Sequence, residues 1–243
     1  MNPKDGFTRN VIKRNYALIT PDGHVASVFP GWTDCTPIVL ISSALGAGLS
    51  QFLILLDVKS VGAGETGTDE WFLYVVTGKL SVNGVALTEG GFAFLPPREK
   101  YDVRGAMKDS RLLVFKKTYE PLAGQKPLKF FTGNEKDVSE APFLGDKHAR
   151  LKTLIPDSLA TDMAVNIFTY DPGATLPFVE THVMEHGMLF LSGSGIYRLD
   201  ADRHPVAAGD AIWIAPYCPQ WFIADGPQPA RYIYYKNVNR MPQ

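Results

Sequence analysis

A nine-residue pattern occurs twice in this chain. Glu70-Trp-Phe-Leu-Tyr-Val-Val-Thr-Gly78 lies over Glu185-His-Gly-Met-Leu-Phe-Leu-Ser-Gly193 without a gap, at an offset of 115 residues in a chain of 243. A repeat of that kind means that one folding unit has been used twice. The unit is β in character. Short apolar runs such as Gln51-Phe-Leu-Ile-Leu-Leu56, Leu112-Leu-Val-Phe115, Met163-Ala-Val-Asn-Ile-Phe168 and Arg231-Tyr-Ile-Tyr-Tyr235 are separated by turns rich in Gly, Pro and Asp, and long amphipathic helical patterns are missing. Each copy also carries a hairpin, Gly78 to Gly90 in the first and Gly193 to Gly209 in the second; the longer second hairpin moves the offset to 119, where Pro97 lies over Pro216. The predicted fold class is all-β, with two tandem antiparallel barrels of six to eight strands.

Charge and composition narrow the function classes. Lys and Arg number 24 against 25 Asp and Glu, and no basic run is interleaved with aromatics, so a nucleic-acid partner has no electrostatic footprint. A small anionic molecule stays open as a partner. The start, Met1-Asn-Pro-Lys-Asp-Gly-Phe-Thr-Arg9, lacks the apolar core of a signal peptide, and no stretch approaches the ~18 apolar residues of a membrane span, so a cytoplasmic location is expected. Cys35 and Cys218 form no disulfide framework and read as small buried apolar residues.

The chemistry concentrates in Glu180-Thr-His182-Val-Met-Glu-His186, followed 34 residues later by Gln220. In an extended segment residues 180, 182 and 186 share one face, and a carboxylate with two imidazoles suits a divalent transition metal. The same residues, His182-Val-Met-Glu185-His186, also spell H-x-x-E-H, which on a helix would be the zinc site of an inverted zinc peptidase. That reading needs a helix, yet Pro172, Gly173 and Pro177 stand before the motif and Gly187 follows it. Carried across the repeat, Glu180 meets Glu65, His182 meets Gly67, His186 meets Trp71 and Gln220 meets Tyr101. Glycine has no side chain to offer and indole no acceptor nitrogen, so the first copy is expected to be metal-free, with Trp71 filling the barrel mouth.

Two tandem barrels with this bent motif resemble a bicupin of the jelly-roll type. The usual first cupin motif appears as Glu180-x-His182, three residues, His186, six residues and Gly193, and the second as Gly209, Pro216 and Gln220, with Gln where a His is usual. The permuted ligands, the context Phe178-Val-Glu-Thr-His-Val-Met-Glu-His-Gly187 and the closing Tyr232-Ile-Tyr-Tyr-Lys236-Asn resemble the (S)-ureidoglycine aminohydrolase family of purine (allantoin) degradation, over about residues 10 to 240. That resemblance implies a manganese-dependent enzyme that releases ammonia from ureidoglycine and leaves ureidoglycolate. It implies Glu180, His182, His186 and Gln220 as ligands of Mn2+, Tyr197, Tyr232 and Lys236 as substrate contacts, and Lys236 and Glu180 as catalytic residues.

Strand alternation places Tyr232, Tyr234 and Lys236 on one face and Arg231, Ile233 and Tyr235 on the other. A lysine inside a barrel needs an anion, which the substrate carboxylate would supply. Another cupin enzyme, a dioxygenase or isomerase, and a non-catalytic sensing bicupin are the competing functions; Gln220, a neutral oxygen donor, argues against the histidine-rich site of an oxygenase. The expected organisation is an N-terminal arm with the first barrel (1–120), a connection (121–157) and the second barrel with the active site (158–243). Whether the chain forms a homo-oligomer is left open. His204, in Asp200-Ala-Asp-Arg-His-Pro205, is expected to be exposed.

Overall fold

The computed structural model describes residues 8–240. The apolar runs named above all fall within strands, and the only helical elements among the described residues are three 3-10 turns of three residues each. His186 opens the strand His186–Ser192, so the helical peptidase reading fails.

In the first barrel the 17-residue strand Leu49–Glu65 is long enough to serve two neighbours. Its first half pairs with Ser110–Thr118 and its end with Lys100–Gly105, which folds the sheet over on itself. The repeat strand Asp69–Thr77 lies between Ser110–Thr118 and Gly91–Leu95. The second barrel repeats this order with His186–Ser192 between Ala230–Asn237 and Ala211–Ile214, and a three-stranded sheet of Ser194–Leu199, Asp202–Ala207 and Gln220–Ala224 forms its other wall. Both hairpins start on a glycine with positive φ, Gly78 at 89° and Gly193 at 73°. A Cβ at Gly193 would lie 2.5 Å from the Pro229 carbonyl oxygen, so the position needs glycine twice over.

Three apolar layers result. One fills the first barrel around Leu73, Val75 and Val114. A second fills the other barrel around Phe190, Phe222 and Tyr232. The third lies between the barrels and draws on both halves, with Phe72, Leu113 and Phe115 meeting Val165, Trp213, Ile233 and Tyr235. Strands at this junction are buried on both faces, which is why they read as continuous apolar runs with little alternation.

Chain order misplaces the arm and the connection. Tyr16–Ile19, grouped with the first barrel by position, pairs instead with Ala211–Ile214 of the second, and Arg9 holds the buried Asp210 carboxylate at 2.7 and 2.8 Å. Segment 121–157 serves both barrels: Phe131–Asn134 pairs with Gly91–Leu95, while Asp146–Thr153 pairs with Met163–Tyr170. A sheet edge accepts any extended segment through its backbone groups, and the sequence carries no mark of which edge a segment will cover. His204 is likewise half-buried, its Nε2 standing 3.1 Å from the hydroxyl of Tyr16 on that arm. Cys218 is buried and Cys35 half-buried, both as free thiols.

Candidate active site

Alternation along Ala230–Asn237 sends Ile233 and Tyr235 into the layer between the barrels and Tyr232 and Tyr234 into the second barrel. Lys236 follows the tyrosines. Its neighbours in register are His186 on one side and Ala164 on the other. Tyr232, Tyr234, Lys236 and His186, together with Glu180, His182, Gln220 and Tyr197, line a cavity of about 180 Å³ whose remaining wall is Phe143, Phe168, Met184 and Met188.

The segment before His186 is not a strand. Glu180 is held by a single bridge to Gln220, its N–H donating to the Gln220 carbonyl at 2.8 Å and its carbonyl accepting from the Gln220 N–H at 2.9 Å. From there the chain runs as a loop to His186, tied where the Tyr217 N–H donates to the His182 carbonyl at 2.7 Å. The shared face expected from parity is therefore replaced by a bridge and a loop that bring the same residues together.

The two imidazoles are oriented by backbone. His182 Nδ1 lies 3.1 Å from the Met184 carbonyl oxygen and His186 Nδ1 lies 3.3 Å from that of Tyr235. Carbonyls only accept, so each Nδ1 carries the proton and each Nε2 is left with its lone pair. Those two Nε2 atoms stand 3.1 Å apart. Burial depresses both rings, His186 to about 3 with the neighbouring His182 adding to the effect, so both are neutral and ready to ligate. Two lone pairs face to face repel unless a cation lies between them, and nitrogens bound to one ion at about 2.1 Å and a right angle to each other would be about 3 Å apart.

Gln220 is 2 % exposed and completes the group. Its NH2 faces His182 Nε2 at 3.2 Å and its carbonyl accepts from the Tyr197 hydroxyl at 2.8 Å. Turning the amide end for end would aim its oxygen at the imidazoles and its NH2 at the Tyr197 oxygen. The Glu180 carboxylate lines the same cavity without closing on the imidazoles, so no three His, Cys, Asp or Glu side chains converge among the described residues. Burial raises Glu180, and the positive charge of Lys236 works against that rise. Lys236 has no ion-pair partner among the described residues. The donor set of two neutral imidazoles, a carboxylate and an amide fits a divalent cation, and the lysine beside it fits a carboxylate.

Tyr197 is fully buried and committed to Gln220, and Tyr232 lies 3.3 Å, hydroxyl to hydroxyl, from Tyr170. The sequence reading missed Tyr170, Phe168 and Phe143. A signal for two of them existed: residues 168 and 170 share parity with Asn166 on the face that crosses to Tyr232 and Tyr234.

The corresponding place in the first barrel is closed by aromatic rings. Trp71 and Tyr101 lie 4.9 Å apart between centroids, with Phe29 at 5.7 Å from Trp71 and Trp32 at 6.3 Å from Tyr101. The register also amends the sequence match for Glu180. Tyr101, the counterpart of Gln220, pairs with Gly64, while Glu65 pairs with Lys100 and is exposed.

Known proteins resemble this chain in sequence and in fold. The family described as "Cupin domain" matches residues 166–235. The (S)-ureidoglycine aminohydrolase of Arabidopsis thaliana is 36 % identical over 98 % of this chain and 80 % of its own length. That of Escherichia coli is 35 % identical over 96 % of this chain and 92 % of its own. The crystal structure of the protein Ylba from E. coli superposes with a TM-score of 0.86 at 33 % identity, covering 97 % of this chain and 96 % of that one.

Proposed function

The chain belongs to the (S)-ureidoglycine aminohydrolase family, and on that premise we propose that it releases ammonia from (S)-ureidoglycine to give (S)-ureidoglycolate in the breakdown of purines through allantoin. The observation that carries the reading is the pair of neutral imidazoles, His182 and His186, set Nε2 to Nε2 beside the Lys236 ammonium, which has no ion-pair partner among the described residues. Glu180, His182, His186 and Gln220 would hold Mn2+. When bound, the ion supplies positive charge that fixes the substrate or a water and stabilises developing negative charge.

The protein's own residues then have separable tasks. Lys236 pairs with the substrate carboxylate and sets which face of the reacting carbon is presented. At that carbon the bond to the amine breaks and a bond to a water oxygen forms, so one proton must leave the water and one must reach the departing amine. Glu180, which lines the cavity and is raised by burial, would accept the first of these. Tyr197 fixes the Gln220 amide, and Tyr232 and Phe168 give the cavity an aromatic wall.

Stereochemistry tests the reading. Freshly generated ureidoglycine is expected to give ureidoglycolate with the S enantiomer in large excess when the manganese-loaded protein is present. Racemic product formed at the uncatalysed rate would overturn it.

A further inference from the structure

His186 projects from a strand whose back is pressed against the other barrel. At Gly187 a Cβ would lie 2.7 Å from Leu49 Cδ1 and 2.8 Å from Gln51 Oε1, so only glycine lets the two sheets approach this closely. The Gln51 amide then donates to the Met188 carbonyl at 2.9 Å. Glu185 makes the third contact. Both of its carboxylate oxygens accept from the Gly48 N–H at 3.1 Å, and one also accepts from the Trp213 indole at 3.2 Å. Residues 185, 187 and 188 are thus held from the first barrel while the His186 side chain faces the cavity of the second.

We propose that Glu185 is a positioning residue: through Gly48 the first barrel fixes the backbone from which His186 projects, and so sets the metal affinity of a site to which it contributes no ligand. This rests on the metal-binding reading given above. The physical reason lies in tolerance. Two nitrogens 3.1 Å apart share an ion only while both rings hold their places, and a ring is only as fixed as the strand that bears it. The His182 side lies on a loop, so the rigid half of the pair has to be His186. Glu185 is 6 % exposed and anchored by donors from both barrels, the Gly48 N–H just before the strand Leu49–Glu65 and the Trp213 indole on Ala211–Ile214, which gives the strand His186–Ser192 a fixed start. The Glu185 N–H adds a further tie, donating to Asn237 Oδ1 at 2.7 Å.

A purely cementing role would make Glu185 matter for stability alone, and three variants separate the two roles. Glu185→Gln removes the charge. Gly48→Ala changes no residue of the second barrel, and its added methyl would stand 2.8 Å from Glu185 Oε1 and displace that carboxylate. Val75→Ala opens the interior of the first barrel, away from Glu185, and serves as the stability control. Manganese binding is measured by equilibrium dialysis with elemental analysis, beside thermal unfolding of the metal-stripped proteins. The expected result is a loss of affinity of about tenfold in Glu185→Gln and Gly48→Ala, the lower end of what losing a supporting contact costs a metal site. Val75→Ala should unfold at a lower temperature yet bind manganese as the wild type does. Wild-type affinity in Gly48→Ala and in any folded Glu185→Gln, or equal weakening in Val75→Ala, would overturn the positioning role while leaving the metal site standing. A wild type that takes up no manganese would overturn the metal reading itself, and this inference with it.

Discussion

Glu70 and Glu185 hold the same position in the two copies of the repeat, and both are buried where the barrels meet, at 0 % and 6 % exposure. Their partners differ. Glu185 accepts from the Gly48 backbone and the Trp213 indole, whereas Glu70 accepts from the Thr161 hydroxyl at 3.3 Å and lies beside Asp162, which is paired with Lys117. Burial first, then the hydrogen bond and repulsion from Asp162, push the Glu70 carboxyl from 4.5 up to about 9. In that window the folded chain holds a proton that the unfolded chain has lost, so this group's contribution is full below about pH 4.5 and fades as pH rises toward 9. Glu70→Gln cannot lose that proton. Urea unfolding of the variant at pH 5.5, 7 and 8.5 should show a stability that falls less steeply with pH than the wild type, by up to about 1.4 kcal/mol per pH unit. Parallel curves would put an ionised carboxylate at this position.

His182→Ala removes one of the two facing imidazole nitrogens. About one metal equivalent per wild-type chain is expected, and loss of that metal in the variant, with the fold retained because His182 lies on a loop. Elemental analysis and far-ultraviolet circular dichroism on the same samples decide it. Two equivalents in the wild type would place an ion elsewhere, against the aromatic filling around Trp71 and Tyr101.

Lys236→Met should keep the metal and lose turnover. A charge-assisted contact in a dry site is worth about 2 to 4 kcal/mol, or roughly 30-fold to nearly a thousandfold in rate. Near wild-type ammonia release from a variant with full metal content would leave Lys236 without a role in the reaction.

Tyr197→Phe separates two roles for one hydroxyl. Its loss leaves the buried Gln220 amide short of a partner, a cost of about 1 to 3 kcal/mol. If the hydroxyl serves Gln220, metal affinity falls while KM at saturating metal changes little. A raised KM at unchanged affinity would instead return Tyr197 to direct contact with substrate, as the family resemblance implies.

Much of this was legible in the chain because it depends on local pattern. Apolar runs between turns marked the strands, and Gly78 and Gly193 marked hairpins that require positive φ. Tyr232, Tyr234 and Lys236 reached one cavity because they sit on a strand, where parity holds. Parity misled at Glu180, which lies outside any strand, and the match of Gly64 to Glu180 follows from backbone pairing across the barrel, which a linear alignment of the two copies does not contain. The pairing of Tyr16–Ile19 with Ala211–Ile214 joins segments almost two hundred residues apart through backbone groups that every sequence possesses. The contact of Glu185 with Gly48 had no sequence signal either, because a backbone N–H carries no residue-type signature.

Turnover of ureidoglycine in this cavity is read from the ammonia it releases. Purified, manganese-loaded protein is mixed with freshly generated ureidoglycine and, separately, with allantoate, and ammonia is followed against a protein-free control. Rapid release from ureidoglycine is expected, abolished in His182→Ala, with none above the control from allantoate. Release from ureidoglycine at the control rate, or equal turnover of both ureides, would contradict it.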